Sequence, residues 1–253
     1  MLKKLLNKSI LNYFFFFHLY FFFIVYKVLL LIIKTMSEFK DFYTGQNYNQ
    51  HMYNGLIGFF MTLSHKRMEN STEKKERVLE IGPGTHPHID YLKHDFEEYY
   101  VVDRIKELSD FFKKNDKIKF VHQEGDSLPF EEDYFDRIII SHCLEHIVNP
   151  EIMLKDIKSK LKKGGTLTIG LPTDPGLMWR TGKFISANFL INKSYNFTKD
   201  DYYYFTAKDH VNSIFSLIPI IKKNFNMINF ERYEPFKIPM VDLNLFYIID
   251  VTK

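Results

Sequence analysis

The chain has 253 residues, 45% of them hydrophobic, a formal net charge of +3 and one cysteine, Cys143. That length suits one sizeable domain with an appendage, and the single cysteine excludes a disulfide framework and a multi-cysteine metal site. Residues 1–35 hold five lysines and no acid, so the remaining 29 basic and 31 acidic residues carry about −2, which is no electrostatic footprint for nucleic acid.

Residues 10–33 are almost wholly apolar, interrupted by Asn12, His18 and Lys27. Such a run can cross a bilayer core of about 30 Å as a helix. Three readings compete for residues 1–35. A cleaved signal peptide is disfavoured because no small-residue cleavage site follows. The others are a membrane anchor through residues 10–33 and a true start at Met36, with AT-rich non-coding sequence translated upstream. Lys27 inside the span counts against the anchor, and so do Lys3, Lys4 and Lys8 before it, which weakly favour export of the body. A chain starting at Met36 is expected to fold and bind its cofactor.

Residues 36–76 read as an N-terminal helical cap. Phe39, Phe42 and Tyr43, then Leu56, Ile57, Phe60 and Leu63, fall at helical spacing. Tyr43, Tyr48 and Tyr53 are interleaved and suit packing or a lid over a cationic group. From 77 to 253, strand and helix patterns alternate, which predicts a parallel sheet covered on both faces. Strands are expected over 78–81, 99–102, 118–122, 136–141 and 166–171. Helices are expected over 88–93, up to Phe112, and from Pro150 onward. Asn149, Pro150 and Glu151 mark that last start, and Met153, Ile157 and Leu161 form its apolar stripe. Lys162 and Lys163 suit its last turn, and Gly164 its left-handed cap. An aromatic-rich insertion follows strand five, over roughly 174–206. A helix near 209–225 and an antiparallel pair over 227–233 and 243–250 close the chain, with His210 read as a helix-start residue and Leu243, Leu245, Tyr247 and Ile249 alternating.

The chemistry gathers at strand ends. Val78-Leu79-Glu80-Ile81-Gly82-Pro83-Gly84-Thr85 is a buried strand running into a glycine turn. Such a turn exposes backbone N–H groups where a ligand approaches closely. No Gly-Lys-Ser/Thr follows, so it is not a P-loop. Glu80 before the glycines would repel a diphosphate and attract an ammonium. Asp103 at the end of strand two can accept both ribose hydroxyls. Gly125-Asp126 after strand three can accept from an adenine amino group. A lone acid at a strand end is more often a turn former. Amino acid, ribose and adenine on consecutive strand ends describe S-adenosylmethionine.

These residues resemble a known family. Glu80-Ile81-Gly82-Pro83-Gly84, Val102-Asp103, Gly125-Asp126-Ser127-Leu128-Pro129-Phe130, Phe135-Asp136-Arg137-Ile138, Ser141-His142-Cys143-Leu144-Glu145-His146-Ile147 and Leu161-Lys162-Lys163-Gly164-Gly165 look like the class I S-adenosylmethionine-dependent methyltransferases. The resemblance extends to the type 11 group that includes quinone-biosynthesis methyltransferases. It is specific over 77–172 and does not cover 1–35. It implies an α/β, Rossmann-like, doubly wound seven-stranded sheet with an antiparallel last strand, and a helical insertion after strand five. It also implies that Glu80, Gly82 and Gly84 line the methionine end, Asp103 the ribose, and Gly125, Asp126 and Ser127 the adenine, with His142 and Cys143 beside the cofactor through backbone. The loop departs from the family at His86-Pro87. Ser141-His142-Cys143-Leu144 is not the Asn/Asp-Pro-Pro-Tyr/Phe signature of amino-group DNA methyltransferases.

Methyl transfer from a sulfonium is an in-line displacement in which positioning and water exclusion supply much of the rate. A proton acceptor is needed only for a neutral hydroxyl or acidic carbon, and His142, Glu145, His146 and His210 are the candidates. Each has an ordinary alternative in helix-start polarity or packing. No metal ligands are expected. The acceptor site should follow strand five, where Trp179, residues 184–191 and Tyr202 to Phe205 suit either a packed helical subdomain or a lid. The expected activity is methylation of a small-molecule or lipid-like acceptor, not nucleic acid. A non-catalytic cofactor sensor is the alternative, and a nicotinamide dehydrogenase a distant third. The body is expected in the cytoplasm, where the cofactor is made, unless residues 10–33 anchor it.

Overall fold

Short apolar runs rich in Val and Ile, separated by polar turns, assemble into one sheet whose central strands are buried on both faces. In a computed structural model the described residues are 55–125, 127–190 and 198–253. They comprise helix α1 (Gly55–Met68), β1 (Lys75–Ile81), β2 (Phe96–Asp103), α2 (Leu108–Phe112), β3 (Ile118–His122), β4 (Phe135–Ser141), α3 (Pro150–Lys160) and β5 (Leu161–Pro172). Then come α4 (Leu177–Ile185), a π-helical turn (Ser186–Leu190), α5 (Lys199–Asp209), α6 (Ile214–Asn224), β6 (Met227–Glu234) and β7 (Phe246–Thr252). The seven strands lie in the order β3-β2-β1-β4-β5-β7-β6. β1 to β5 run parallel, and β7 is antiparallel between β5 and β6. The α/β class, the seven strands, the antiparallel last strand and the helical insertion after β5 agree with the sequence reading.

Residue alternation divides the sheet into two faces. Leu79, Ile81, Ile138 and Ile140 pack against Met153, Leu154 and Ile157 of α3 and Ile214, Leu217 and Ile221 of α6. Val78, Tyr99, Val101 and Ile139 face Met68 of α1 and Leu108 and Phe112 of α2. α1 crosses β5 closely because Gly170 has no side chain: a Cβ there would lie 2.8 Å from Met68 Sδ.

Several boundaries differ from the sequence reading. The helix expected over 88–93 is one 3-10 turn, His88–Tyr91. α3 stops at Lys160, and Leu161 already pairs with Phe135 in the sheet, so Lys162 to Gly165 form a strand irregularity and not a helix end. α6 starts at Ile214, and His210 follows the C-terminus of α5 instead of opening a helix. Leu243 belongs to a 3-10 turn, and β7 is buried on both faces, with Tyr247, Ile249 and Val251 in one cluster and Ile248 in the other, while β6 pairs along its outer edge. Residues 10–33 and Tyr43, Tyr48 and Tyr53 lie outside the described residues. Among the described residues no helix is long and apolar enough to cross a membrane.

A polar network not foreseen from sequence crosses the α1 face. Glu69, just after α1, accepts from Arg137 Nη2 at 2.7 Å and pairs with His88 Nε2 at 2.7 Å. Arg137 also contacts Thr168 and His94. Thr168 donates to Asp250, which accepts from Asn229. Burial alone would raise the Glu69 pKa, but hydrogen bonds from His88 and Arg137 outweigh it and hold the carboxyl at about 2.

Candidate active site

The strand order reverses between β1 and β4, and that switch point opens a crevice at the carboxyl ends of the parallel strands. β1 enters it through the glycine turn. Gly82 has φ +64° and Gly84 φ +58°, a left-handed backbone that favours glycine. A Cβ on Gly82 would lie 2.2 Å from Cys143 Sγ, so the loop and the chain after β4 are in direct contact. Two carboxylates strap the loop. Gly84 N–H donates to Asp103 at 3.1 Å, and His88 N–H donates to both Glu80 oxygens at 2.9 Å.

Glu80 does not present its carboxylate to the crevice as the sequence reading supposed. It is fully buried, and Tyr99 Oη donates to it at 2.7 Å as well. Burial pushes its pKa up to about 8 against the opposing Tyr99 and His88 hydrogen bonds. Glu80 acts on the site through the loop it holds. Asp103 also accepts from Ile105 N–H at 2.9 Å. A carboxylate offers about four acceptor sites, so these two bonds do not exhaust it. Burial raises its pKa, opposed by those backbone donors. Gly125 has φ +108° and is exposed, as is Ser127, while Asp126 lies outside the described residues.

His142 hydrogen-bonds to α1 and not to the other three catalytic candidates. Its φ of +50° is unusual for a non-glycine residue, and its N–H donates to Gly170 O at 2.9 Å. Its ring lies 2.9 Å from Ser64 Oγ through Nε2 and sits edge-on to Phe246. Burial, with neighbouring imidazoles, drops its pKa to about 3. The unfolded chain takes up a proton near pH 6.5 that the folded chain refuses. Stability is therefore expected to fall as pH drops from about 6.5 toward 3, by up to about 1.4 kcal/mol per pH unit from this residue. Thermal melts across that range should show a flatter dependence in His142→Asn, since asparagine tolerates the left-handed backbone. Equal slopes would mean that His142 is charged in the fold.

Glu145, His146 and His210 do come together. Each has a ligand atom within 4.8 Å of the others, although His210 lies far along the chain. Glu145 and His146 sit on a 3-10 turn after β4 (Leu144–His146). His146 Nδ1 is 3.1 Å from Asp209 Oδ2, and its Nε2 is 3.6 Å from Glu145 Oε1. Burial opposes charge on His146, but Glu145 and Asp209 prevail and push its pKa up to about 9. His210 Nδ1 is 2.8 Å from Asp174 Oδ2, which also accepts from Lys183 at 2.6 Å. Trp179 stacks on His210 with ring centroids 6.1 Å apart. Asn212 N–H donates to Glu145 O and Ile214 N–H to Asp174 O, so backbone bonds fix the insertion to the end of β4. Ser141 Oγ, Glu145 Oε2 and Trp179 Nε1 are among the buried polar atoms that have no hydrogen-bond partner among the described residues. Buried polar atoms are rarely left so unless something else satisfies them.

Sequence reasoning missed Asp174, Asp209 and Ser64. Asp174 had a signal, since it lies two residues beyond β5, where ligands gather in such sheets. Ser64 had none, because its partner is 78 residues away.

The methyltransferase domain family matches residues 48–212. The chain is similar to an uncharacterized protein of Methanocaldococcus jannaschii, 36% identical over 97 residues, covering 38% of this chain and 45% of the relative. It is also similar to the demethylmenaquinone methyltransferase of Clavibacter sepedonicus, 29% identical over 98 residues, covering 37% of this chain and 40% of the relative. The matched segment thus spans less than half of either relative. The fold is that of the N-methyltransferase NodS from Bradyrhizobium japonicum, solved in complex with S-adenosyl-L-homocysteine: TM-score 0.59 and 13% identity, over 87% of this chain and 98% of that one.

Proposed function

Because the chain belongs to the methyltransferase domain family, we propose that it transfers a methyl group from S-adenosylmethionine to a small-molecule or lipid-like acceptor. The cofactor supplies an electrophilic methyl on a sulfonium. The observation that carries the reading is the bare glycine loop at the switch point, facing an Asp103 with acceptor capacity to spare.

The residues present fit that cofactor. Gly82 and Gly84 leave backbone in place of side chains where it approaches. Asp103 keeps acceptor capacity for the ribose beyond the bonds from Gly84 and Ile105. Glu80 keeps the loop in shape, and we assign the adenine to Gly125, Asp126 and Ser127, with the backbone of His142 and Cys143 beside the cofactor. The acceptor lies toward Glu145, His146 and His210, where Ser141 Oγ and Trp179 Nε1 offer unmatched hydrogen-bonding groups. Asp209 and Asp174 orient the two imidazoles there. The exposed apolar side chains of Leu177 and Phe184 on α4 and Tyr204 on α5 favour an apolar acceptor body.

Calorimetric titration with S-adenosylmethionine and S-adenosylhomocysteine tests the site. Asp103→Ala is expected to weaken both at least tenfold, since a hydrogen bond to a charged group contributes about 1.5–3 kcal/mol, with an unchanged circular dichroism spectrum. Unchanged affinity would overturn the assignment. Labelled cofactor with fractionated cell extract tests the acceptor class: label confined to nucleic acid would defeat it.

A further inference from the structure

We propose that Glu145, His146 and His210 bind a divalent first-row transition cation at the end of β4. The inference goes beyond the methyl-transfer reading and does not depend on it. Two imidazoles and a carboxylate are a donor set suited to Zn2+, Mn2+, Co2+ or Fe2+, and poorly suited to the all-oxygen shells of Ca2+ and Mg2+.

Four observations converge. The three ligand atoms lie within 4.8 Å of one another. Bound at about 2.1 Å, such donors sit roughly 3.0–3.4 Å apart, so closure asks for inward shifts of about an ångström. Next, each imidazole is tied through Nδ1 to an outer carboxylate, His146 to Asp209 and His210 to Asp174. That contact fixes the tautomer which leaves Nε2 as the inward donor, an outer arrangement characteristic of metal-ligating histidines. Third, Glu145 Oε2 is buried without a hydrogen-bond partner, and a cation would satisfy it. Finally, the group gathers three carboxylates, Glu145, Asp174 and Asp209, with Lys183 paired to Asp174. Histidine protonation offsets part of that excess, and a divalent ion would offset more.

The backbone ties described above hold the ligands in place from both sides. Asn212 N–H on Glu145 O links the turn carrying Glu145 and His146 to the segment carrying His210. Three protein donors leave coordination positions open to an outside ligand, and a bound ion would polarise an oxygen placed there.

The chain contains one tryptophan, Trp179, and it stacks on His210. Its fluorescence is therefore a local reporter. The full-length protein, stripped with a chelator and dialysed, is titrated with MnCl2 and with CoCl2. Saturable quenching at one ion per chain is expected, with Co2+ giving visible d–d absorption. Glu145→Gln, close in shape to the parent, should weaken binding at least tenfold, as should His146→Ala. Asp174→Asn, which alters the outer contact of His210 and the ion pair with Lys183 but no ligand, should weaken it about 10–100-fold. No saturable quenching, or quenching unaltered in both Glu145→Gln and His146→Ala, would overturn the site. Because the readout needs no methyl donor, its failure leaves the methyl-transfer reading standing, and the reverse also holds.

Discussion

Gly82→Ala should abolish measurable binding of S-adenosylmethionine in a calorimetric titration. The added Cβ would sit 2.2 Å from Cys143 Sγ and 3.1 Å from Cys143 Cβ. It would also force a side chain onto φ +64°, a conformation costing roughly 1–2 kcal/mol for an L-residue. Either the loop or the segment after β4 must move, and both line the crevice. Because Gly82 N–H also donates to Val102 O at 2.8 Å, displacement of the loop carries Asp103 with it. Combining Gly82→Ala with Cys143→Gly removes the clash and should restore part of the affinity. Full affinity in the single variant would show that the loop is looser than its geometry and that the site lies elsewhere.

Arg137→Leu should lower stability by about 3–5 kcal/mol, the range for breaking a buried pair and stranding its partner. Glu69 has no exposed side chain, and Arg137 supplies two of its hydrogen bonds. Without Arg137 the carboxylate keeps, among the described residues, His88 and the Lys93 N–H. For a domain of this size the melting temperature should fall by roughly 6–20 °C. Adding Glu69→Gln removes the stranded charge and should recover much of the loss, because a matched neutral pair avoids the desolvation that the ions suffer. If the double variant melts no higher than the single one, the effect belongs to packing and not to charge.

The alternation of apolar strands with amphipathic helices was plain in the chain, since it depends on periods of two and 3.6 residues within each element. β3 was read to its observed ends because polar runs bracket it. Leu161 was misread as the last turn of a helix. It fits the stripe begun by Met153 and Ile157, but pairing with Phe135 draws it into the sheet. His210 was misplaced for a related reason, since its position depends on Asp174, 36 residues earlier, and not on its neighbours.

By itself the sequence determined the α/β order, the glycine turn after β1 and the acid ending β2, because these are set by adjacent residues and by where a strand must stop. Only the tertiary structure decided which way the strand-end side chains face and which of them meet. Glu80 is turned inward by Tyr99 and His88, away from the crevice. Arg137 is drawn under α1 by Glu69. Glu145 and His146 acquire His210 because the insertion after β5 folds back onto the end of β4 and is fixed there by backbone hydrogen bonds. Such pairings are non-local, and burial makes each depend on partners that sequence spacing does not reveal.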